Sequence, residues 1–179
     1  MSREKNKVRR AWLHADRLRR EQLMLVTIGY LAHYVGDGSQ PLHVSAHYNG
    51  WGDYPNPNGY TTAKIHAPFE DVFAAENVTP AMVRANLSPL KTEAGPIEAR
   101  VSSYLLVAGR QVVPLYELEK AGAFTPGDPR GVAFATERLA AGASELRDLI
   151  AQAWDESLTV KLGWPPASVA DSVSGKLDP

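Results

Sequence analysis

The sequence predicts an all-α protein, built as a single domain, and three observations carry that expectation. Apolar residues return with a period of about 3.6 along residues 11–35, 96–121 and 129–157. Thr79-Pro80 and Asp128-Pro129 each set a capping side chain before a proline, a pair that opens helices. The densest turn signals fall in one stretch, residues 44–64, where no apolar period survives. The 179 residues are long enough to bury a core, and 44% apolar with 22% charged residues is an ordinary globular mix. Residues 11–162 form the expected helical core. Residues 1–10 are expected to be frayed or weakly helical, and residues 163–179, rich in Pro, Ser and Asp, to be a surface tail. No internal repeat, heptad run or second domain is visible.

The first helix is expected over residues 11–35. Trp12, Leu13, Leu18, Leu23, Val26, Tyr30, Leu31 and Val35 set its apolar positions, with the arginines largely between them. Gly36 and Gly38 flank Asp37 and weaken the helix there. Pro41 holds Gln40 extended by steric clash, so the helix ends within residues 36–39 and His43 lies just beyond. Residues 44–64 carry Asn49-Gly50, Gly52, Pro55, Pro57 and Asn58-Gly59, and a loop this long in a compact domain is usually functional or disordered. Its rings, Trp51, Tyr54 and Tyr60, are expected to pack the loop onto the domain; the alternative is that one or more line a substrate cleft.

The next helix starts within residues 65–67, because Pro68 is acceptable only in a first turn. Phe69, Val72 and Phe73 form its apolar side. Thr79-Pro80 opens a short helix to about residue 87, and Pro89 and Gly95 bracket a linker. Along residues 96–121 a stripe runs from Ile97 through Val101, Tyr104, Leu105 and Val112 to Leu118. Pro114 inside it predicts a kink, and Gly122 a stop. After a turn at residues 123–128, the last helix runs over 129–157, lined by Val132, Ala135, Leu139, Ala143, Leu146, Ile150 and Trp154. The expectation is four principal helices around one irregular loop.

Composition narrows the function. Without cysteine there are no disulfides and no thiolate metal sites. No run of about eighteen apolar residues occurs, so no transmembrane helix is expected. Residues 2–10 are too polar for the apolar part of a signal peptide. The net charge of −1 is unevenly spread: residues 1–26 hold eight Lys/Arg against three Asp/Glu. This basic start reads first as a solvated helix face, and second as a surface for a phosphate backbone.

The chemistry concentrates in residues 33–70, which contain four of the five histidines. His33, Asp37, His43, His66 and Glu70 are imidazoles and carboxylates, the ligand set that suits zinc. His33/Asp37 and His66/Glu70 are i,i+4 pairs, which a helix brings to one face. Each pair alone is commonly a surface or capping pair. The clustering of all five, with His43 and His66 flanking a loop that has no core of its own, points to a metal.

HYVGDGSQPLH followed by H-x-x-x-E resembles the core signature of the zinc-dependent phospholipase C and S1/P1 nuclease superfamily. Gly36, Asp37, Gln40, Pro41, Leu42 and His43 all fall in place. The resemblance implies a partial phospholipase C/P1 nuclease-like helical fold with a long irregular metal-binding loop. It implies a cleft with up to three zinc ions. His43, His66 and Glu70 would hold one, His33 and Asp37 would bind a second, and Asp37 would bridge to a third and serve catalysis. The reaction implied is attack of zinc-bound hydroxide on a phosphodiester, in a phospholipid or a single-stranded nucleic acid. The H-x-x-[aromatic]-E pattern ending at Glu70 is closer to the phospholipase branch, since the family's nucleases typically end in Asp. The family's remaining ligands, in the preceding half of its fold, have no matching position, and neither His14 nor His47 matches one. The chain is therefore expected to be the C-terminal part of such an enzyme, with one complete zinc site. A second chain or self-association would cover what is missing, and the setting would be extracellular or periplasmic. Two other functions compete: a non-catalytic, zinc-stabilised helical interaction module, and a nucleic-acid-binding protein using the basic start.

Overall fold

The all-α expectation holds in a computed structural model that describes residues 5–91, 95–164 and 166–174. The first residues of the expected frayed start (1–4), the middle of the expected linker (92–94) and, in the expected surface tail, residues 165 and 175–179 lie outside the described residues. The chain opens with α1 (Lys7–Ser39), followed by a 3₁₀ turn (Pro41–Val44) and the long loop. A helix then starts at His66, passes through a π-helical stretch (Pro68–Ala74) and finishes as α2 (Ala75–Asn77). The remaining helices are α3 (Pro80–Ala85), α4 (Ile97–Gly109), α5 (Val112–Lys120), α6 (Pro129–Ser157) and α7 (Val169–Val173). Between α6 and α7, β1 (Lys161–Leu162) pairs antiparallel with β2 (Ala167–Ser168), the only sheet among the described residues. Among those residues no helix is long and apolar enough to cross a membrane.

α1 starts four residues before the expected position. Asn6 is the reason: its Oδ1 accepts from the amides of Val8 at 3.0 Å and Arg9 at 3.2 Å, supplying partners for donors that a helix start leaves bare. At the other end Gln40 is extended, with φ −85° and ψ 116°, as the following proline demands. Gly36 and Gly38 do not stop the helix. Gly38 lets α4 approach, since a Cβ there would lie 2.8 Å from Tyr104 Cε1. Tyr104 Oη donates to the Val35 carbonyl at 2.6 Å across the same contact.

The expected kink at Pro114 is instead a break one turn upstream. α4 ends at Gly109 and α5 begins at Val112. A proline ring clashes with the carbonyl four residues earlier, here that of Arg110, so the helix parts there and Pro114 sits in the first turn of α5. α3 stops at Ala85, two residues short of its expected end.

The core gathers Leu42, Ile65, Phe69, Phe73, Leu115, Tyr116 and Phe134. Phe69 and Phe73 pack with Phe124 and Phe134 at ring separations of 4.8–6.5 Å. α6 and α4 are tied by Arg100, which grips Glu145 with two bonds of 2.7 and 3.1 Å and reaches Gln152 Oε1 at 3.1 Å. Much of α1 stands away from this body. Over residues 5–27 every side chain is exposed except Leu13 and Asp16, which are half-buried.

Candidate metal centre

Two chain segments deliver the three central side chains, each beside a buried neighbour. Leu42, fully buried, fixes the 3₁₀ turn that carries His43. Ile65 and Phe69, 7% and 4% exposed, fix the helix that carries His66 and Glu70. Pro68 does not separate that pair: it lies in the helix's first turn, and His66 Nε2 and Glu70 Oε2 are 3.0 Å apart. A π-helical stretch inside a helix is often found at functional sites, and Glu70 lies within this one.

His43 Nε2 lies 3.1 Å from Glu70 Oε2 and 3.3 Å from His66 Nε2. His66 Nδ1 faces the Tyr48 carbonyl at 2.9 Å. A carbonyl only accepts, so Nδ1 carries the proton, and in the neutral ring Nε2 presents a lone pair. That lone pair points at a carboxylate oxygen and at a second imidazole nitrogen. Around an ion with bonds of about 2.0–2.1 Å, a tetrahedral arrangement sets neighbouring ligand atoms about 3.3–3.4 Å apart. The observed 3.0, 3.1 and 3.3 Å are close to that. The three atoms can therefore hold a cation, or share a proton.

Gln40 completes the cluster. Its Oε1 accepts from the Leu42 amide at 2.6 Å, which points its Nε2 at Glu70 Oε2, 3.0 Å away. Burial pushes the Glu70 carboxyl up, but the bond from Gln40 and the nearby imidazoles of His43 and His66 outweigh it, and the carboxyl lies below its ordinary value. The His43, His66 and Glu70 side chains keep 32%, 22% and 40% of their surface, so one side of the cluster is open.

His33 and Asp37 stand at the rim. Asp37 Oδ1 is 3.9 Å from His43 Nε2, and Asp37 Oδ2 is 3.4 Å from His33 Nε2, whose ring is 71% exposed. The structure thus brings together three of the five expected ligands and places Asp37 beside them, with His33 behind it. His14 is exposed on α1. His47 belongs to the loop: its ring stacks on Trp51 at 3.8 Å and its Nδ1 lies 2.8 Å from the Trp51 carbonyl.

The loop folds around Tyr116, whose hydroxyl donates to the His47 carbonyl at 2.7 Å and accepts from the Gly50 amide at 3.1 Å. Gly50 has φ +104°, and a Cβ there would lie 2.6 Å from the Thr62 carbonyl oxygen. Trp51 and Tyr60 pack the loop against Tyr116, as expected of them, while Tyr54 is 53% exposed. Asn49 Oδ1 accepts from the His66 amide at 3.1 Å, joining the loop to the start of the helix that carries His66 and Glu70. Sequence reasoning missed Gln40 and the Tyr48 carbonyl as partners of the clustered side chains. For Gln40 the available signal was its place before Pro41, where an extended backbone frees its side chain from the helix. Comparison with protein-family models, with curated proteins and with solved structures finds no match to the chain.

Proposed function

We propose that the chain is a zinc-dependent phosphodiester hydrolase, or the zinc-bearing part of one, with His43, His66 and Glu70 as ligands. The supporting observation is the convergence of His43 Nε2, His66 Nε2 and Glu70 Oε2 within 3.3 Å of one another, with the His66 tautomer fixed by Tyr48. A ring nitrogen bonded to a carbonyl behind it is the usual way a protein aims a metal-binding histidine. Three protein ligands and an open side fit a catalytic rather than a structural zinc. When bound there, zinc would act as a Lewis acid on a phosphoryl oxygen and acidify water toward a pKa of about 7.

The chain's own groups do the rest. Gln40 holds Glu70 in place and leaves its carboxylate ionised. In this reading Asp37, at the rim with His33 3.4 Å behind it, would accept a proton from water on the open side. The phosphodiester, phospholipid or single-stranded nucleic acid, is the substrate that the sequence resemblance implies, and an extracellular or periplasmic setting accompanies it.

A second reading, a zinc-stabilised interaction module without activity, is favoured by α1. Trp12, Leu23, Met24, Leu25, Val26 and Tyr30 are each at least half exposed. In either case a second chain or a second copy would cover this face.

Elemental analysis and diesterase assays test the proposal. The expected result is at least one zinc per chain, lost in Glu70→Gln. Asp37→Asn should keep the zinc on His43, His66 and Glu70 while lowering the diesterase rate about 100-fold or more. No bound zinc refutes the site. Zinc with no activity toward any phosphodiester, in the presence of the partner, selects the interaction module.

A further inference from the structure

A cavity of about 260 Å³ lies between the end of α1, the π-helical stretch and α6, and Asp37, Gln40, His43, Glu70 and Arg138 share its lining. Arg138 comes from α6, a helix that contributes no group to the cluster described above. Its residue is 6% exposed, yet its charge is poorly matched. Nη2 donates to Glu137 Oε1 at 2.6 Å, but Glu137 is the next residue and its side chain is 66% exposed, so solvent screens the pair. Nε is sealed from solvent and has no hydrogen-bond partner. Among the described residues three buried side-chain polar atoms are left in that state, and Arg138 Nε is the one whose residue lines this cavity. A guanidinium carries five donors in a planar fork, and burying one without an acceptor is costly.

We propose that Arg138 is the anion-binding residue of this cavity, receiving a singly charged oxyanion, of the phosphodiester class, beside the His43/His66/Glu70 cluster. The proposal rests on the zinc reading. Charge sets the ligand class. The carboxylates of Asp37 and Glu70 against one guanidinium leave the cavity one charge negative, which repels anions. A divalent cation on the cluster reverses the balance to one charge positive. That matches a phosphodiester, which carries one negative charge, better than a monoester, which carries nearly two at neutral pH. A guanidinium suits a phosphoryl oxygen as a charged donor. At 260 Å³ the space lies just below the range of drug-sized pockets, so it takes that group with part of its substituents, and the rest of a larger substrate extends outward.

The probe is dimethyl phosphate, with binding followed by calorimetry on the full chain and zinc content measured in the same samples. The zinc-loaded wild type should bind the diester, and the zinc-free protein at least about tenfold more weakly. Arg138→Met should weaken binding about tenfold or more with zinc content unchanged, since a charge-assisted bond of this kind is worth about 1.5–3 kcal/mol. Arg138→Lys should recover part of the loss. Should Arg138→Met fail to fold, Glu137→Gln carries the test from the surface: freeing the guanidinium of its competing carboxylate should tighten binding about two- to fivefold. Unchanged affinity in folded, zinc-loaded Arg138→Met, or in Glu137→Gln where that variant replaces it, overturns the assignment and leaves the zinc site standing. A chain that takes up no zinc overturns both.

Discussion

His43, His66 and Glu70 each follow a buried apolar residue in the chain, and that adjacency is what makes their geometry precise. Leu42, Ile65 and Phe69 lose almost all of their surface, so the backbone one residue on has little freedom to move. The three side chains therefore inherit their positions from the core. Leu42→Ala tests this. Truncating a fully buried leucine should cost about 2–5 kcal/mol of stability. It should also weaken zinc binding, although no ligand is altered. Chemical denaturation and a competitive zinc titration measure the two effects, and unchanged zinc affinity at reduced stability would show that His43 is held independently. At this scale the sequence was informative about which side chains the fold gathers in one region. Their types and spacing marked all five candidates, but spacing could not rank them. The resemblance grouped His43, His66 and Glu70, and the turn at Pro41 with the packing of Phe69 brings those three together, with His33 and Asp37 at the rim.

Helices were legible where one rule dominated. α6 was readable end to end, because Asp128 and Pro129 mark its start and its apolar stripe is unbroken. The boundary between α4 and α5 was legible as a disturbance but misplaced, because a proline acts on the carbonyl one turn before it. The π-helical stretch left no mark in the periodicity. One thing no pattern could reveal is the pairing of Arg100 with Glu145, whose side chains are 10% and 15% exposed and lie 45 residues apart. Glu145→Ala takes the doubly bonded carboxylate away from a buried guanidinium that keeps Gln152 and a longer contact of 3.8 Å to Asp148. The expected loss is roughly 3 kcal/mol, at the lower end for a broken buried pair because those partners remain. Thermal unfolding of the variant checks it, and a loss under about 1 kcal/mol would mean the pair is effectively solvated.

As a whole, the molecule divides into a packed body bearing the cluster and a basic, apolar helix reaching out from it. Leu23, Met24, Leu25 and Val26 are consecutive and each more than half exposed, a run that soluble surfaces normally avoid. Self-association is the expected outcome in the absence of another partner. Light scattering across a concentration series should show a mass above that of one chain, and Leu23→Glu combined with Leu25→Glu should return it to a monomer. A wild type that stays monomeric at high concentration would leave α1 without need of a cover. The exposure of this face was anticipated only in part: the sequence's apolar stripe reads the same whether a helix packs on its own body or on a neighbour.

His66 is held to the carbonyl of Tyr48, within the loop that separates it from His43, and the same loop hangs from the hydroxyl of Tyr116. The direction in which the His66 imidazole points is thus tied, through the loop, to a buried phenol on α5, a helix that supplies no side chain to the cluster.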